Sequence, residues 1–278
     1  MKTFTTNIIC LLIAFLMVVQ LPAFLNEHMA SAFEGDVVVE FTPAPDASVY
    51  PSALETEPTI DYLDVESGVF TQQFTADNGL KVSYNIYIPE NATTDMPLIV
   101  WLHGQGYLNK KLPQDYGVIK MAREQCEDRF IIVQPMASYG WHVEKQFNAI
   151  LDLTNYIVSE YQMDTDRVIL TGHSLGSLGA WYYAENATER WAAVVPVSNR
   201  CTNRVDNLLE SNLTIWAFCS NWDTYENITG TQKTVDTLKN SNPDRDIQYT
   251  IMEGYNHNDM AEAPYTIEFF NWAADQNR

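Results

Sequence analysis

The sequence predicts an α/β fold in which helices cover both faces of a mostly parallel sheet. Two observations support this prediction. From Pro97 onward, short continuous apolar runs alternate with segments of helical period, which is typical of buried parallel strands joined by helical crossovers. Before Pro97, two apolar or alternating runs flank the turn signal Asp77-Asn78-Gly79, which predicts a hairpin. Antiparallel strands are therefore expected at the N-terminal edge of the sheet.

The apolar runs and helical segments place each element. The hairpin strands are predicted at 69–75 and 80–88. The parallel strands are predicted at 98–102, 130–134, 168–171, 192–197, 215–218 and 247–251. The helices between and after them are predicted at 116–126, 146–161, 175–184, 231–240 and 265–275. Since ligands bind at the carboxyl ends of strands in such sheets, each catalytic residue should follow a strand directly.

The chain divides into a leader, a lead-in and one catalytic domain. Residues 1–32 read as a signal peptide, with a positive start, an apolar run and the cleavage site Ala30-Ser31-Ala32, so a secreted, extracellular protein is predicted. The alternative is an uncleaved membrane anchor, because the apolar run approaches the length that spans a bilayer. Residues 33–61 are proline-rich and predicted to be extended, and residues 62–278 form the predicted domain.

Charge and cysteine content limit the partners and cross-links. The net charge of −20, with 16 scattered Lys and Arg residues, excludes nucleic acid and anionic membranes as expected partners. After signal removal three cysteines remain, so a fully paired framework is excluded and only a Cys201–Cys219 pair is considered, without a decision. The sequence does not decide whether its four Asn-x-Thr sequons are glycosylated, and it does not decide the oligomeric state. The sequons begin at Asn91, Asn186, Asn212 and Asn227.

A G-x-S-x-G motif at residues 172–176 identifies Ser174 as the candidate nucleophile. The motif lies between a buried strand and a helix, and its glycines allow the close backbone approach that such a turn requires. The N-terminus of the following helix would favour an oxyanion beside the serine.

A serine nucleophile needs a base, and the sequence favours His257 among five histidines. His257 follows the strand at 247–251, whereas His28 leaves with the signal, and His103 and His142 lie upstream of the serine. The side chain of His173 is expected to diverge from the serine hydroxyl.

The acid that orients this base is predicted to be Asp223, which follows the strand at 215–218. It gives the chain order Ser, Asp, His that this type of turn requires. Glu226 and Asp206 are the alternatives if Asp223 only caps the next segment.

The oxyanion hole is predicted from two backbone amides. One belongs to Leu175, directly after the nucleophile. The other belongs to Gln105 or Gly106, in the loop after the strand at 98–102, and the sequence does not decide between them. His103 is expected to brace this loop by hydrogen bonding.

Aromatic residues near these loops are candidates for substrate contact. Trp141, Trp222 and Tyr107 are predicted to bind substrate, with ordinary packing as the alternative. No long insertion follows the strand at 192–197, so an open cleft is expected. No histidine pair has metal-ligand spacing and the acids show no EF-hand pattern, so neither a metal nor a cofactor is predicted.

With these motifs placed, the chain from about residue 70 to 272 resembles the α/β-hydrolase fold, in the secreted esterase branch that includes feruloyl esterases, polyhydroxyalkanoate depolymerases and "predicted peptidases". The resemblance is carried by segments 97–106, 161–176, 191–198 and 214–218 together with Asp223 and His257. It implies an α/β-hydrolase with a mostly parallel sheet, and ester hydrolysis through an acyl-enzyme.

The chain departs from this family at two places. Ser177 stands where the family usually has a second glycine, and Cys219-Ser220 where it has a His-Gly pair. The second departure lies in the loop that delivers Asp223, so it bears on the position of the acid.

The sequence therefore predicts a serine carboxylic-ester hydrolase acting on small esters or on esters linked to plant polysaccharide. A peptidase with the same triad is an alternative, because both reactions share the tetrahedral intermediate. A catalytically silent hydrolase fold that binds carbohydrate or protein is the alternative from another functional class.

Overall fold

The structure, a computed structural model, describes residues 62–125 and 129–278. The predicted signal peptide at 1–32, the lead-in at 33–61 and Cys126 lie outside the described residues. Within the part described, no helix combines the length and apolarity needed to cross a bilayer. Cys201 and Cys219 are both free thiols.

Eight strands form one sheet in the order β1-β2-β4-β3-β5-β6-β7-β8. The pairs β1–β2 and β2–β4 are antiparallel and all later neighbours are parallel. The strands are β1 Gly68–Thr75, β2 Lys81–Ile88, β3 Leu98–Leu102, β4 Ile131–Pro135, β5 Val168–His173, β6 Ala193–Val197, β7 Thr214–Ser220 and β8 Ile247–Met252. The predicted α/β-hydrolase fold with antiparallel N-terminal strands is confirmed.

Six α-helices accompany the sheet in the described residues. They are α1 Gly117–Gln125, α2 Glu144–Glu160, α3 Leu175–Asn186, α4 Asp206–Glu210, α5 Tyr225–Ser241 and α6 Ile267–Ala274. Short 3₁₀ turns occur at Gln105–Tyr107, Thr165–Arg167, Thr188–Arg190 and Asp259–Ala261.

Three elements differ from the predictions. Helix α5 begins at Tyr225 rather than at 231, because the Thr224 side chain caps it by accepting from the Asn227 amide. Helix α4 was not predicted at all. Strand β7 continues to Ser220, so the Cys219-Ser220 pair lies in the strand rather than in the loop after it.

The core consists of two apolar layers, one on each face of the sheet. Along β3, Leu98, Val100 and Leu102 belong to one layer, and Ile99 and Trp101 to the other. Side chains alternate across a strand, so a strand buried on both faces is apolar at every position. Both layers are covered by helices, which explains the continuous apolar runs in the sequence.

The parallel register gathers the ends of the strands that carry the site. Leu102 lies opposite Gly172, and Val197 pairs with both His173 and Phe218. The loops that follow β3, β5, β6, β7 and β8 therefore leave the sheet along one edge, where the predicted site residues lie.

Candidate active site

The site is built around a strained turn at Ser174. Strand β5 ends at His173 and α3 begins at Leu175, so Ser174 alone makes the reversal, with φ 56° and ψ −111°. A positive φ is uncommon for a residue other than glycine and costs free energy unless the surroundings enforce it. A Cβ atom at Gly172 would collide with the Gly176 carbonyl group, and one at Gly176 would overlap the Leu102 carbonyl oxygen. Both glycines are therefore required for the turn to pack against β3.

The structure brings Ser174, His257 and Asp223 into one hydrogen-bonded chain. His257 Nε2 lies 2.8 Å from Ser174 Oγ, and His257 Nδ1 lies 2.7 Å from Asp223 Oδ1. An ionised carboxylate can only accept, so Nδ1 carries the proton and Nε2 is left to accept from the serine hydroxyl. This is the tautomer that a general base requires.

Asp223 is the carboxylate that the geometry favours over the two alternatives. Its side chain is fully buried, and its Oδ2 accepts from the Ser220 amide at 2.8 Å. Glu226 is exposed in the first turn of α5, and Asp206 forms an ion pair with Arg204 at 2.5 Å. Within the described residues, only Asp223 contacts the His257 ring through a carboxylate.

The environment of Asp223 keeps it ionised. Burial alone would raise its pKa, but hydrogen bonding from His257 and from the Ser220 amide, together with the nearby Ser198 hydroxyl, lowers the pKa below the usual value. Ser198 follows β6 with φ 60°, and its buried hydroxyl has no hydrogen-bond partner within the described residues. The sequence reasoning missed Ser198, although its place after a strand was a signal that could have found it.

His173, which the sequence did not favour as the base, contacts the backbone of His257. Its Nε2 donates to the His257 carbonyl oxygen at 2.7 Å, and the two rings lie 4.9 Å apart. Burial, with a further contribution from His257, lowers the pKa of His173 to about 4. His173 therefore stays neutral at neutral pH and holds the His257 backbone without competing for the serine proton. Because this contact spans 84 positions, no local sequence pattern predicts it.

The loop after β3 lies directly against Ser174. A Cβ atom at Gly104 would lie 3.4 Å from the Ser174 Cβ, so Gly104 allows this close approach. The next two residues begin a 3₁₀ turn, and the structure gives the amides of Gln105, Gly106 and Leu175 no acceptor among the described residues. Gln105 directly follows Gly104, and Gly106 comes one residue later. An oxyanion hole requires backbone amides that are free to donate beside the serine.

His103 and Trp141 brace this loop. His103 Nε2 accepts from the Ala137 amide at 3.0 Å, so Nδ1 carries the proton and donates to the Gly104 carbonyl oxygen at 2.8 Å. Burial lowers the pKa of His103 to about 4, which keeps this arrangement neutral. Trp141 Nε1 donates to the His103 carbonyl oxygen at 3.0 Å.

The three aromatic residues predicted to contact substrate have different surroundings. Trp141 is fully buried, so the prediction that it contacts substrate is wrong; its ring packs edge-on against His103. Tyr107 is half-buried and lies 5.0 Å from the Tyr116 ring. Trp222 is 64% exposed beside Asp223 and is available to a ligand. Among the described residues, no group of three or more His, Cys, Asp or Glu side chains is arranged to hold a metal ion.

The model of the BD-FAE family matches residues 84–262, more than half of this 278-residue chain. Acetylxylan esterase A of Aspergillus awamori is 29% identical over 157 residues, which cover 49% of this chain and 51% of that protein. The chain thus spans about half the length of the curated relatives it matches.

Solved structures share the fold. A thermostable esterase superposes with a TM-score of 0.65 at 20% identity, covering 76% of this chain and 63% of that one. A mutant of the feruloyl esterase module from Clostridium thermocellum, complexed with sinapinate, superposes with a TM-score of 0.56 at 17% identity, covering 84% and 96%. At these identities the likeness supports the fold alone.

Proposed function

The chain belongs to the BD-FAE family, and from that premise we propose that it is a secreted serine hydrolase that cleaves carboxylic esters through an acyl-enzyme. The observation that carries this proposal is the hydrogen-bonded chain from Ser174 through His257 to Asp223, with distances of 2.8 and 2.7 Å. Ser174 itself is held at positive φ, with φ 56°.

The proposed reaction has two halves. Ser174 Oγ attacks the ester carbonyl carbon while His257 Nε2 takes its proton, and the buried Asp223 carboxylate stabilises the imidazolium. The amides of Leu175 and Gln105 donate to the oxyanion of the tetrahedral intermediate. His257 then returns the proton to the leaving alcohol oxygen, and the C–O bond breaks to give the acyl-enzyme.

Hydrolysis of the acyl-enzyme repeats these steps with water. His257 removes a proton from water, which attacks the acyl carbonyl carbon, and the same amides stabilise the second oxyanion. Ser174 leaves with the proton from His257, and the carboxylic acid is released.

The proposed substrates are acyl or aryl esters attached to plant polysaccharide. A relative named as an acetylxylan esterase and a structural neighbour named as a feruloyl esterase support this class. A chain with a net charge of −20 favours neutral polymers over anionic ones. Only residues 198–205 connect β6 to α4, so no long lid is inserted there and a polymer can reach the site. Export is proposed from the signal-like residues 1–32.

The test is hydrolysis by the mature protein beside Ser174→Ala, on p-nitrophenyl acetate, butyrate and decanoate, methyl ferulate, acetylated xylan and a peptide anilide. Loss of a triad serine typically lowers turnover about a millionfold, so the variant should be inactive on every substrate that the parent cleaves. Ser177→Ala is the matched control, since that hydroxyl only donates to the Asn199 carbonyl oxygen.

Three results would contradict the proposal. Cleavage of the anilide alone, dependent on Ser174, would make the protein a peptidase. A parent without activity on any substrate would favour a silent binding protein. Equal activity of parent and Ser174→Ala would remove Ser174 from the mechanism.

A further inference from the structure

We propose that Trp222, Tyr225 and Tyr255, here called the aromatic rim, bind the sugar rings of a neutral polysaccharide on the leaving-group side of the triad. This proposal rests on the proposed esterase function, which sets the orientation of the ester in the site. It extends that function by specifying which residues hold the alcohol portion of the substrate.

All three side chains of the aromatic rim are exposed. Trp222, Tyr225 and Tyr255 are 64%, 77% and 40% exposed, whereas the four tryptophans of the central core are fully buried. Those four are Trp101, Trp141, Trp181 and Trp191. Large aromatic surface left in water beside a catalytic group is available to a ligand, and burying it on binding is favourable.

Hydrogen bonds hold the two loops of the aromatic rim together. The Gly254 amide donates to the Asn221 side-chain oxygen at 3.0 Å, and the Ser220 hydroxyl donates to the Tyr255 carbonyl oxygen. The same hydroxyl accepts from the Trp222 amide at 2.9 Å. The loops after β7 and β8 are therefore fixed relative to each other before a ligand binds, which lowers the entropic cost of binding.

The position of the aromatic rim indicates which part of an ester it meets. Trp222 and Tyr225 flank Asp223, and Tyr255 lies two residues before His257. His257 must reach the leaving oxygen to protonate it, so the alcohol portion of the ester lies on the His257 side. The acyl oxygen lies on the other side, at the amides of Leu175 and Gln105. The aromatic rim therefore meets the alcohol portion, which in the proposed substrate is the polysaccharide.

The polar residues around the aromatic rim select an uncharged, hydroxyl-rich ligand. Besides the buried Asp223, segments 221–227 and 253–259 contain three exposed carboxylates and several amide side chains, and neither contains Lys or Arg. Carboxylates accept hydrogen bonds from sugar hydroxyls, while aromatic faces cover the apolar C–H face of a sugar ring. The same carboxylates repel uronates and phosphates. The three exposed carboxylates belong to Glu226, Glu253 and Asp259.

Binding is tested without turnover, by affinity electrophoresis of full-length Ser174→Ala in gels containing deacetylated neutral xylan. The xylan should retard this protein, and adding Trp222→Ala should weaken the affinity at least roughly fivefold, the cost of losing an aromatic anchor. Polygalacturonate should retard neither protein.

The matched control is Tyr62→Ala in the same background. Tyr62 is 63% exposed, and it pairs with Thr93 in the connection that leads to the amino end of β3, the opposite edge of the sheet. This variant should bind xylan like its parent.

Kinetics provide a second measurement on the active enzyme. Trp222→Ala should raise KM for acetylated xylan at least roughly fivefold and leave KM for methyl ferulate, whose alcohol portion is only a methyl group, unchanged. A KM increase for methyl ferulate alone would show that Trp222 contacts the acyl group of the substrate instead of the polysaccharide, and it would overturn the inference. Equal xylan binding with and without Trp222 would also overturn it.

The inference and the proposed function fail separately. If the protein hydrolyses esters but its binding to xylan does not depend on Trp222, the inference is wrong and the proposed function stands. Trp222-dependent binding to xylan by a protein that hydrolyses no ester removes the proposed function and leaves the sugar-binding surface.

Discussion

Replacement of Asp223 by asparagine tests how the site fixes the His257 tautomer. Asp223 Oδ2 accepts from the Ser220 amide and Oδ1 accepts from His257 Nδ1. Asparagine has one acceptor and one donor group at these positions. If its oxygen keeps the Ser220 amide, its NH₂ group faces Nδ1, which must then accept. The imidazole proton moves to Nε2, which donates to Ser174 and can no longer act as a base.

The reversed amide orientation does not rescue the site. It would place the NH₂ group against the Ser220 N–H, which leaves two buried donors facing each other. The expected loss in kcat at neutral pH is therefore about 10⁴-fold, the scale known for a triad with the wrong tautomer, or about 5.5 kcal/mol of transition-state stabilisation. Initial rates on p-nitrophenyl acetate and the thermal midpoint of each protein give the comparison.

Asp259→Asn is the matched control because it lies in the His257 loop and accepts from the Asn256 amide at 3.0 Å, which an asparagine oxygen can also do. We expect it to keep its activity. If Asp223→Asn folds and retains kcat within tenfold of the parent, Asp223 does not set the tautomer and the reasoning is refuted.

Three further predictions concern the oxyanion loop, the turn and acid stability. Gln105→Pro removes one amide at the first position of a 3₁₀ turn, where proline is tolerated, and should lower kcat about 10²- to 10³-fold; an unchanged kcat would assign the second donor elsewhere. Gly176→Ala should destabilise the protein by roughly 3 kcal/mol or more, because its Cβ would overlap a β3 carbonyl oxygen; an unchanged thermal midpoint would contradict the packing described. His103 and His173 have pKa values lowered to about 4, mainly by burial, so the unfolded chain binds more protons than the folded protein between pH 4 and about 6.5. The free energy of unfolding therefore decreases as the pH is lowered through this window. At pH 5 each of these two histidines should lower the free energy of unfolding by about 2 kcal/mol relative to neutral pH. Urea unfolding measures this loss, and a urea midpoint that stays constant from pH 7.5 to 5 would contradict the prediction.

The fold and the three hydrogen-bonded residues Ser174, His257 and Asp223 could be predicted from the sequence. Local sequence patterns identify the strands, and the topology of a parallel sheet brings the ends of those strands together. The apolar runs reflect strands buried on both faces, and parallel strands deliver their following residues to one edge. Ser174, Asp223 and His257 each lie close after the carboxyl end of a strand, so their meeting follows from the topology. Their catalytic roles stay a prediction.

The rest depends on contacts between distant segments. The amide groups at the start of α4 donate to the buried carboxylate of Glu185, and Arg245 donates to the Leu208 carbonyl oxygen, so tertiary contacts hold this five-residue helix. Trp141 was predicted to bind substrate, but it is buried and its Nε1 donates to the His103 carbonyl oxygen. Neither arrangement has a periodic signal in the sequence.

The most direct test of the central claim is covalent labelling of the nucleophile. The mature protein is treated with diethyl p-nitrophenyl phosphate and digested, and the modified peptide is mapped by mass spectrometry, with Ser174→Ala and Ser177→Ala treated in parallel. The account predicts one diethylphosphoryl group on Ser174, formed at the same rate in Ser177→Ala and absent from Ser174→Ala. No adduct on the parent, or an adduct on another residue that persists in Ser174→Ala, would contradict it.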